Sequence, residues 1–420
     1  MKSNRLIYTS SLDGMRAIAI LAVLSFHGLG PVSLAMFGSG GWLGVDCFFV
    51  LSGFLITKLL LDEYAASKTI DIKAFFLRRI FRILPVYTAF VLITAFVNPF
   101  HRHDIWRCAL VAGSFLSDYD IALHGHHIIA SGFDNSWSLA VEEKFYLLWP
   151  FLLTIFARSP IRLVVTSLIL SQLWKAYLVL NGADWVRLGG AFDTKFDDIL
   201  WGALAATLMH AGIFNTAKQR TKRAEAATGA LNIADAAQEA TEEPTGALKI
   251  DAFNIEKAAA IVLPLSLLFA CWLTVHPQTV QDVTGQLVYW NIMMPCLSAA
   301  TAAFLLSITV DPKSLEARVL SAKPLVWIGK LSYSLYLWHA LGFGVAAYLS
   351  IFLPFTNQTP YLQEVWTFAV CVLISAISYY GLEKPFLKLK KHFEHSPPVT
   401  RALSPSSTAQ NAQELVNSGR

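Results

Sequence analysis

The sequence predicts an all-α integral membrane protein, a polytopic bundle of about ten transmembrane helices with both termini cytoplasmic. Three observations carry this reading. Hydrophobic residues make up 55% of the 420-residue chain and charged residues only 15%. Apolar runs of about 17 to 23 residues recur along it, each long enough to cross about 30 Å of hydrocarbon at about 1.5 Å per residue. Lysines and arginines gather in alternate connections, which the positive-inside rule assigns to the cytoplasm. With no water in the bilayer core, helices that satisfy their own backbone groups are the default spanning element.

In chain order, spans are predicted over residues 17–37, 43–61, 83–98, 138–157, 161–180, 196–213, 258–275, 288–309, 332–353 and 364–382. The first has no small-residue cleavage site and reads as a retained helix rather than a signal peptide. The stretch 105–117 is short and carries Arg107, a length typical of re-entrant or interfacial segments. Basic residues decide whether it crosses. Lys58, Lys68, Lys73, Arg78, Arg79 and Arg82 follow the second span, Arg158 and Arg162 the fourth, and Lys218, Arg220, Lys222 and Arg223 the sixth. Lys313, Arg318 and Lys323 follow the eighth, and Lys384, Lys388, Lys390 and Lys391 the last. Loops 28–42, 276–287 and 354–363 hold none. Only if 105–117 stays on one side do all the basic loops share a face. Residues 214–256 shift to Ala, Glu, Thr, Lys and Gln and read as a polar cytoplasmic loop. Residues 396–420, rich in Ser, Pro, Asn and Gln, read as a disordered cytoplasmic tail. The five cysteines lie scattered in apolar segments without metal-like spacing and read as small buried hydrophobes.

Ionisable side chains inside such spans are costly and mark function by default. Arg16 and His27 stand eleven residues apart, about three whole turns, so they share one helix face about 16 Å apart along the axis. The plainer reading is a snorkelling arginine and a histidine bonded to a neighbouring helix. Arg78, Arg79 and Arg82 lead into Pro85, expected in the first turn of the third span. They are either an orientation signal or an anion clamp, since guanidinium forks bind phosphate bidentately. In residues 135–150, Ser138, Glu142 and Tyr146 share a face at i, i+4 and i+8, with Glu143 beside them and Trp137 and Trp149 as candidate interfacial aromatics. The alternative there is an anchored helix start. Asp46 is expected near the outer end of the second span, paired with a polar group on the first. His339 is expected early in the ninth span, in its cytoplasmic half. For both, a hydrogen-bonding role is an equal reading.

His124, His126 and His127 have no cysteine or carboxylate at ligand spacing, so no metal is expected. Phosphate-binding glycine loops, the G-x-S-x-G elbow and zinc-protease helices are missing from the sequence. A proton-coupled transporter is the competing class for intramembrane Arg, His and Glu. Against it, the charges concentrate at one loop and one helix, and no broken span pairs recur in two halves.

Together, LDGMRAIAILAVLSFH, GWLGVDCFFVLSGFLIT, RRIFRILP, SWSLAVEEKFYLLWP and GKLSYSLYLWH, in this order, resemble the acyltransferase-3 family of bacterial integral-membrane acyltransferases of the O-acetyltransferase type. The family's arginine and histidine separated by ten residues match Arg16 and His27. Its double-arginine motif matches Arg78, Arg79 and Arg82, and its Trp-Ser-Leu…Glu motif matches Trp137, Ser138, Leu139 and Glu142, with Tyr146 following. Leu77 departs from a common aromatic, and Lys144 from a common glutamine, a change expected to alter acceptor contacts. Some relatives carry an appended extracytoplasmic hydrolase-like domain; none is expected here.

The resemblance implies that residues 1–395 form a membrane acyltransferase domain in the inner membrane of a bacterium. It would transfer an acyl group, with acetyl expected, from cytoplasmic acyl-CoA to a carbohydrate hydroxyl. Acyl-CoA is the co-substrate and no bound cofactor is expected. His27 and Glu142 are the implied catalytic residues, and Arg16, Arg78, Arg79 and Arg82 the implied acyl-CoA site. Asp46, Trp137, Ser138 and Tyr146 are implied as acceptor-side or structural. His27 is a general base or a nucleophile, and Glu142 orients His27 or binds the acceptor. Membrane lipid and glycan-assembly proteins are the further partners expected, and nucleic acid is not. A macrolide or another small lipophilic acceptor would share the donor site.

Overall fold

The computed structural model describes residues 9–28, 38–97, 104–124, 132–213, 282–353 and 359–390. The predicted span 258–275, the 214–256 loop, the 396–420 tail, His126, His127 and Cys271 lie outside them. Every other predicted span falls on a described helix, and among the described residues there is no strand. The helices are α1 (Ser10–Phe26), α2 (Leu43–Ser67), α3 (Ile72–Val97), α4 (Ile105–Gly113), α5 (Ser117–His124), α6 (Ser136–Ile155), α7 (Pro160–Leu180), α8 (Trp185–Gly190) and α9 (Phe192–His210). After them come α10 (Val283–Val310), α11 (Leu315–Leu320), α12 (Lys323–Ser350) and α13 (Pro360–Ser378), which continues through a π turn at Tyr379–Glu383 into Lys384–Lys390.

Among the described residues, five helices are long and apolar enough to cross a membrane: Gly40–Ser67, Ile72–Val97, Pro160–Leu180, Val283–Val310 and Pro360–Leu389. Around an apolar core the bundle carries apolar side chains on its outer face and buries several charges. Val165, Ile169, Leu170 and Leu173 on α7, and Val365, Leu373 and Ile377 on α13, point outward. Asp46, Lys175, Lys195, Asp197 and Asp198 are buried. Lipid accepts the first set and excludes the second. The nine residues of α4 cover only about 14 Å, too short to cross, as expected for 105–117.

Three predicted boundaries shift. α1 occupies Ser10–Phe26 rather than 17–37, so Arg16 lies in its second turn and His27 at its end. α3 starts about three turns before residue 83, because the Asp71 carboxylate accepts from the backbone N–H of Ala74 at 2.8 Å and caps the helix there. Arg78, Arg79 and Arg82 therefore ride on a helix, and Pro85 lies inside it rather than in its first turn. α12 begins at Lys323 with a proline in its first turn. That carries His339 past the middle of the helix. α2 packs tightly on α9, where Gly53 faces the Ile199 carbonyl and Gly202 faces the Val50 carbonyl with no room for a Cβ on either side.

Candidate active site

Helices α1, α2, α3, α6 and α12 enclose a cavity of about 550 Å³. Arg16 enters it from α1, Ser52 from α2, and Arg78, Arg79 and Arg82 from α3. Ser138, Glu142 and Tyr146 line it from α6, on the shared face their spacing predicted, and Tyr333 and Tyr336 from α12. The sequence motifs thus converge on one space, although His27, Asp46 and Trp137 are not part of its wall.

Glu142 is held at both oxygens. One accepts the Ser52 hydroxyl at 2.7 Å and the other the Tyr146 hydroxyl at 3.0 Å. These bonds turn the carboxylate towards α2 and along its own helix, so the expectation that it orients His27 is not met. The Arg79 guanidinium lies 4.7 Å from the Tyr146 ring centroid and 5.7 Å from that of Phe75, a cation–π sandwich that fixes it without a carboxylate. Arg16 reaches Asp13 at 3.4 Å and Arg78 reaches Glu63 at 3.4 Å. Arg82 makes neither an ion pair nor a hydrogen bond among the described residues. Four guanidinium groups therefore face two lining carboxylates, Asp13 and Glu142. Such a space attracts anions.

His27 closes α1. Its ring Nδ1 lies 2.9 Å from the Val23 carbonyl oxygen. A carbonyl only accepts, so Nδ1 carries the proton and Nε2 of the neutral ring is left with the lone pair. Gly28 then turns the chain at φ +117°. The His339 ring packs on His27 with centroids 4.9 Å apart. Asp134, in the loop before α6, stands close by: burial raises its carboxyl above the usual range, and His27 opposes that rise. Tyr336 links the two regions. Its hydroxyl meets Ser138 at 2.5 Å on the cavity wall, while its ring centroid is 6.0 Å from that of His339. The Asn135 amide clamps this join, donating to the Tyr336 and Leu337 carbonyls at 2.7 and 2.9 Å.

A family profile described as an acyltransferase domain matches residues 9–380, which take in the whole cavity lining and both histidines. The chain belongs to the acyltransferase-3 family. Peptidoglycan O-acetyltransferase OatA of Listeria monocytogenes is 26% identical over 396 residues, covering 91% of this chain and 56% of that protein. O-acetyltransferase OatA of Staphylococcus aureus is 29% identical over 396 residues, covering 91% of this chain and 57% of that protein. The chain thus spans little more than half the length of these relatives. No solved structure matches it.

In this acyltransferase-3 chain Asp46 does not pair with α1. Its carboxylate binds Lys195 of α9 at 2.7 Å, and Lys195 also reaches Asp198 at 3.0 Å. Lys175 of α7 binds Asp197 at 2.7 Å beside them. The reason is position: α2 packs on α9 through the paired glycines, which turns the Asp46 face away from the first helix. Trp137 is half-buried, edge-on to Phe49 at 6.0 Å. Lys144 does not face the cavity; it donates to the Phe115 carbonyl at 2.7 Å and to Asp118 at 2.5 Å, tying α5 to α6. Ser52, Tyr333, Tyr336 and Asp134 escaped the sequence reading. Ser52 looks like any serine in an apolar run. Tyr336 stood in view within YSLYLWH.

Proposed function

We propose that the chain is an O-acyltransferase that moves an acyl group, acetyl being expected, from acyl-CoA to a hydroxyl of an extracytoplasmic or membrane-linked carbohydrate. The observation that carries this is the guanidinium-lined cavity within a chain of which 91% aligns with peptidoglycan O-acetyltransferases. Coenzyme A bears several phosphate charges on a long thin arm, and Arg16, Arg78, Arg79 and Arg82 are the side chains available to hold them. Arg79 and Arg82, which form no ion pair among the described residues, contribute most. On this reading ten helices cross the inner membrane of a bacterium, both termini are cytoplasmic, and the donor enters from that side.

The thioester end then runs past Tyr336 towards His27. The His27 Nε2 lone pair takes the proton from the acceptor hydroxyl as its oxygen attacks the thioester carbonyl carbon. The C–S bond breaks, and the imidazolium returns the proton to the departing thiolate. In the covalent version Nε2 itself accepts the acyl group first. The same bare nitrogen serves either route. Glu142, fixed by Ser52 and Tyr146, shapes the electrostatics of the arm rather than acting on the imidazole.

The test uses membranes containing the full chain, radiolabelled acetyl-CoA and a glycan acceptor, with mass spectrometry of surface glycans from cells with and without the gene. Donor-dependent labelling that disappears in His27→Ala at unchanged expression is the expected result. Full labelling in that variant, or none from the native chain, overturns the reading.

A further inference from the structure

We propose that Glu383 sets how tightly the cavity holds its donor: a buried carboxylate behind the arginines opposes the donor's phosphate charge and hastens the release of spent coenzyme A. This rests on the reading above that the guanidinium groups hold acyl-CoA. Glu383 is 5% exposed and ends the π turn Tyr379–Glu383, outside the cavity wall. The turn and the helical end after it pack against α3, the helix that carries Arg82. Two consecutive residues of α12 tie this junction together. The Tyr333 hydroxyl donates to the carbonyl of Ile83, next to Arg82, at 3.0 Å, and the Ser334 hydroxyl donates to a Glu383 oxygen at 3.1 Å. The guanidinium groups that bear on the Glu383 charge are Arg82 and then Arg16. Tyr379, at the start of the turn, is within electrostatic reach of Glu383, Asp13 and Arg82.

An acid that serves the frame of this bundle takes a cation at close range, as Asp46 takes Lys195 at 2.7 Å. Neither Glu383 nor Arg82 forms an ion pair among the described residues. An unpaired acid and an unpaired guanidinium therefore share one helix junction without locking together. They still act on each other through space, because charge interaction falls only as the inverse of distance and salt screens a buried site weakly. The Arg82 fork stays free for an anion from outside, and that anion meets the Glu383 charge as a repulsion. Acyl-CoA and coenzyme A carry the same phosphates, so both feel the same attraction from four guanidinium groups and the same opposition from behind them. Attraction common to donor and product lowers KM without raising kcat and slows the product's departure. Glu383 limits that shared term.

Two variants separate charge from shape. Glu383→Gln keeps the side-chain outline and an oxygen for Ser334 but removes the charge, and Glu383→Asp keeps the charge. The assay uses membranes containing the full chain, labelled acetyl-CoA as donor, saturating acceptor and added coenzyme A as inhibitor. Glu383→Gln is expected to lower both the acetyl-CoA KM and the coenzyme A inhibition constant by about 5- to 20-fold without raising kcat. Glu383→Asp is expected to leave both within about 2-fold of native. Neither constant depends on how much folded protein the membranes hold. Unchanged or raised constants in Glu383→Gln, or no activity at all, overturn the proposal, since the carboxyl is then neutral or structural. An equal fall in both variants overturns it too, because shape is then the determinant. Arg82→Met runs in parallel: an unchanged donor KM there removes the acyl-CoA reading itself. A raised donor KM in Arg82→Met with native constants in Glu383→Gln removes only this inference.

Discussion

Arg82 is the cleanest handle on donor binding, because it forms no ion pair or hydrogen bond among the described residues. Arg16 and Arg78 each hold an acid, Asp13 and Glu63, at 3.4 Å, and Arg79 supports the Tyr146 ring. Removing any of those three strands another group. Arg82→Met removes a partly buried guanidinium without breaking an ion pair or hydrogen bond among the described residues. A charge-assisted hydrogen bond to phosphate contributes about 1.5–3 kcal/mol net, below the roughly 4 kcal/mol of gross attraction between unit charges 4 Å apart at an effective dielectric of 20. At 1.4 kcal/mol per decade that is about a 10- to 150-fold rise in the acetyl-CoA KM. Arg82→Lys keeps the charge but not the planar fork and falls between. Arg78→Met is expected to cost only a few-fold, because Glu63 already takes part of its charge. The assay is initial rate of acetyl transfer against acetyl-CoA concentration in membranes, with acceptor saturating. An unchanged donor KM in Arg82→Met, with kcat also unchanged, would refute the assignment of the cavity to the phosphate end of the donor.

Other variants test the frame. Lys195→Met leaves Asp46 and Asp198 buried without their cation and should destabilise the folded protein by about 3–5 kcal/mol, measured as thermal unfolding in detergent. Adding Asp46→Asn to that variant should recover part of the loss, and no recovery would argue against the pairing. Gly202→Leu has no space against the Val50 carbonyl and should abolish monodisperse protein on size exclusion. Thr57→Val strips the Trp149 indole N–H of its 2.8 Å acceptor in a fully buried site, a loss of about 1–3 kcal/mol in stability, with kcat of the folded fraction unchanged.

The helices were legible because lipid imposes long apolar runs, and the α6 face was legible because 3.6-residue periodicity fixes which side chains align. Ser138, Glu142 and Tyr146 do line one wall. Boundaries were less legible. The basic turn RRIFR resembles a loop by charge, yet it continues the helix because its guanidiniums point into an internal space. Hydropathy counts such residues as outside the membrane, whichever way they face. Pairings between distant helices left no local mark at all. Asp46 and Lys195 are 149 positions apart, and nothing near either names the other. His339 was visible as a residue, but its level in the bundle depends on where α12 begins, which a proline near the start of the helix decides.

The lysine–aspartate cluster also constrains how the chain is built. Asp46 emerges from the ribosome far ahead of α9, and Lys175 precedes Asp197 by a whole helix. A helix laid singly into hydrocarbon with one of these charges bare carries a penalty of about 2.5–3.5 kcal/mol at its centre. That penalty favours holding the early helices beside the translocation machinery until their counter-ions arrive. Insertion and tertiary assembly become one event for this part of the protein, and a truncation before α9 should fail at biogenesis rather than at catalysis.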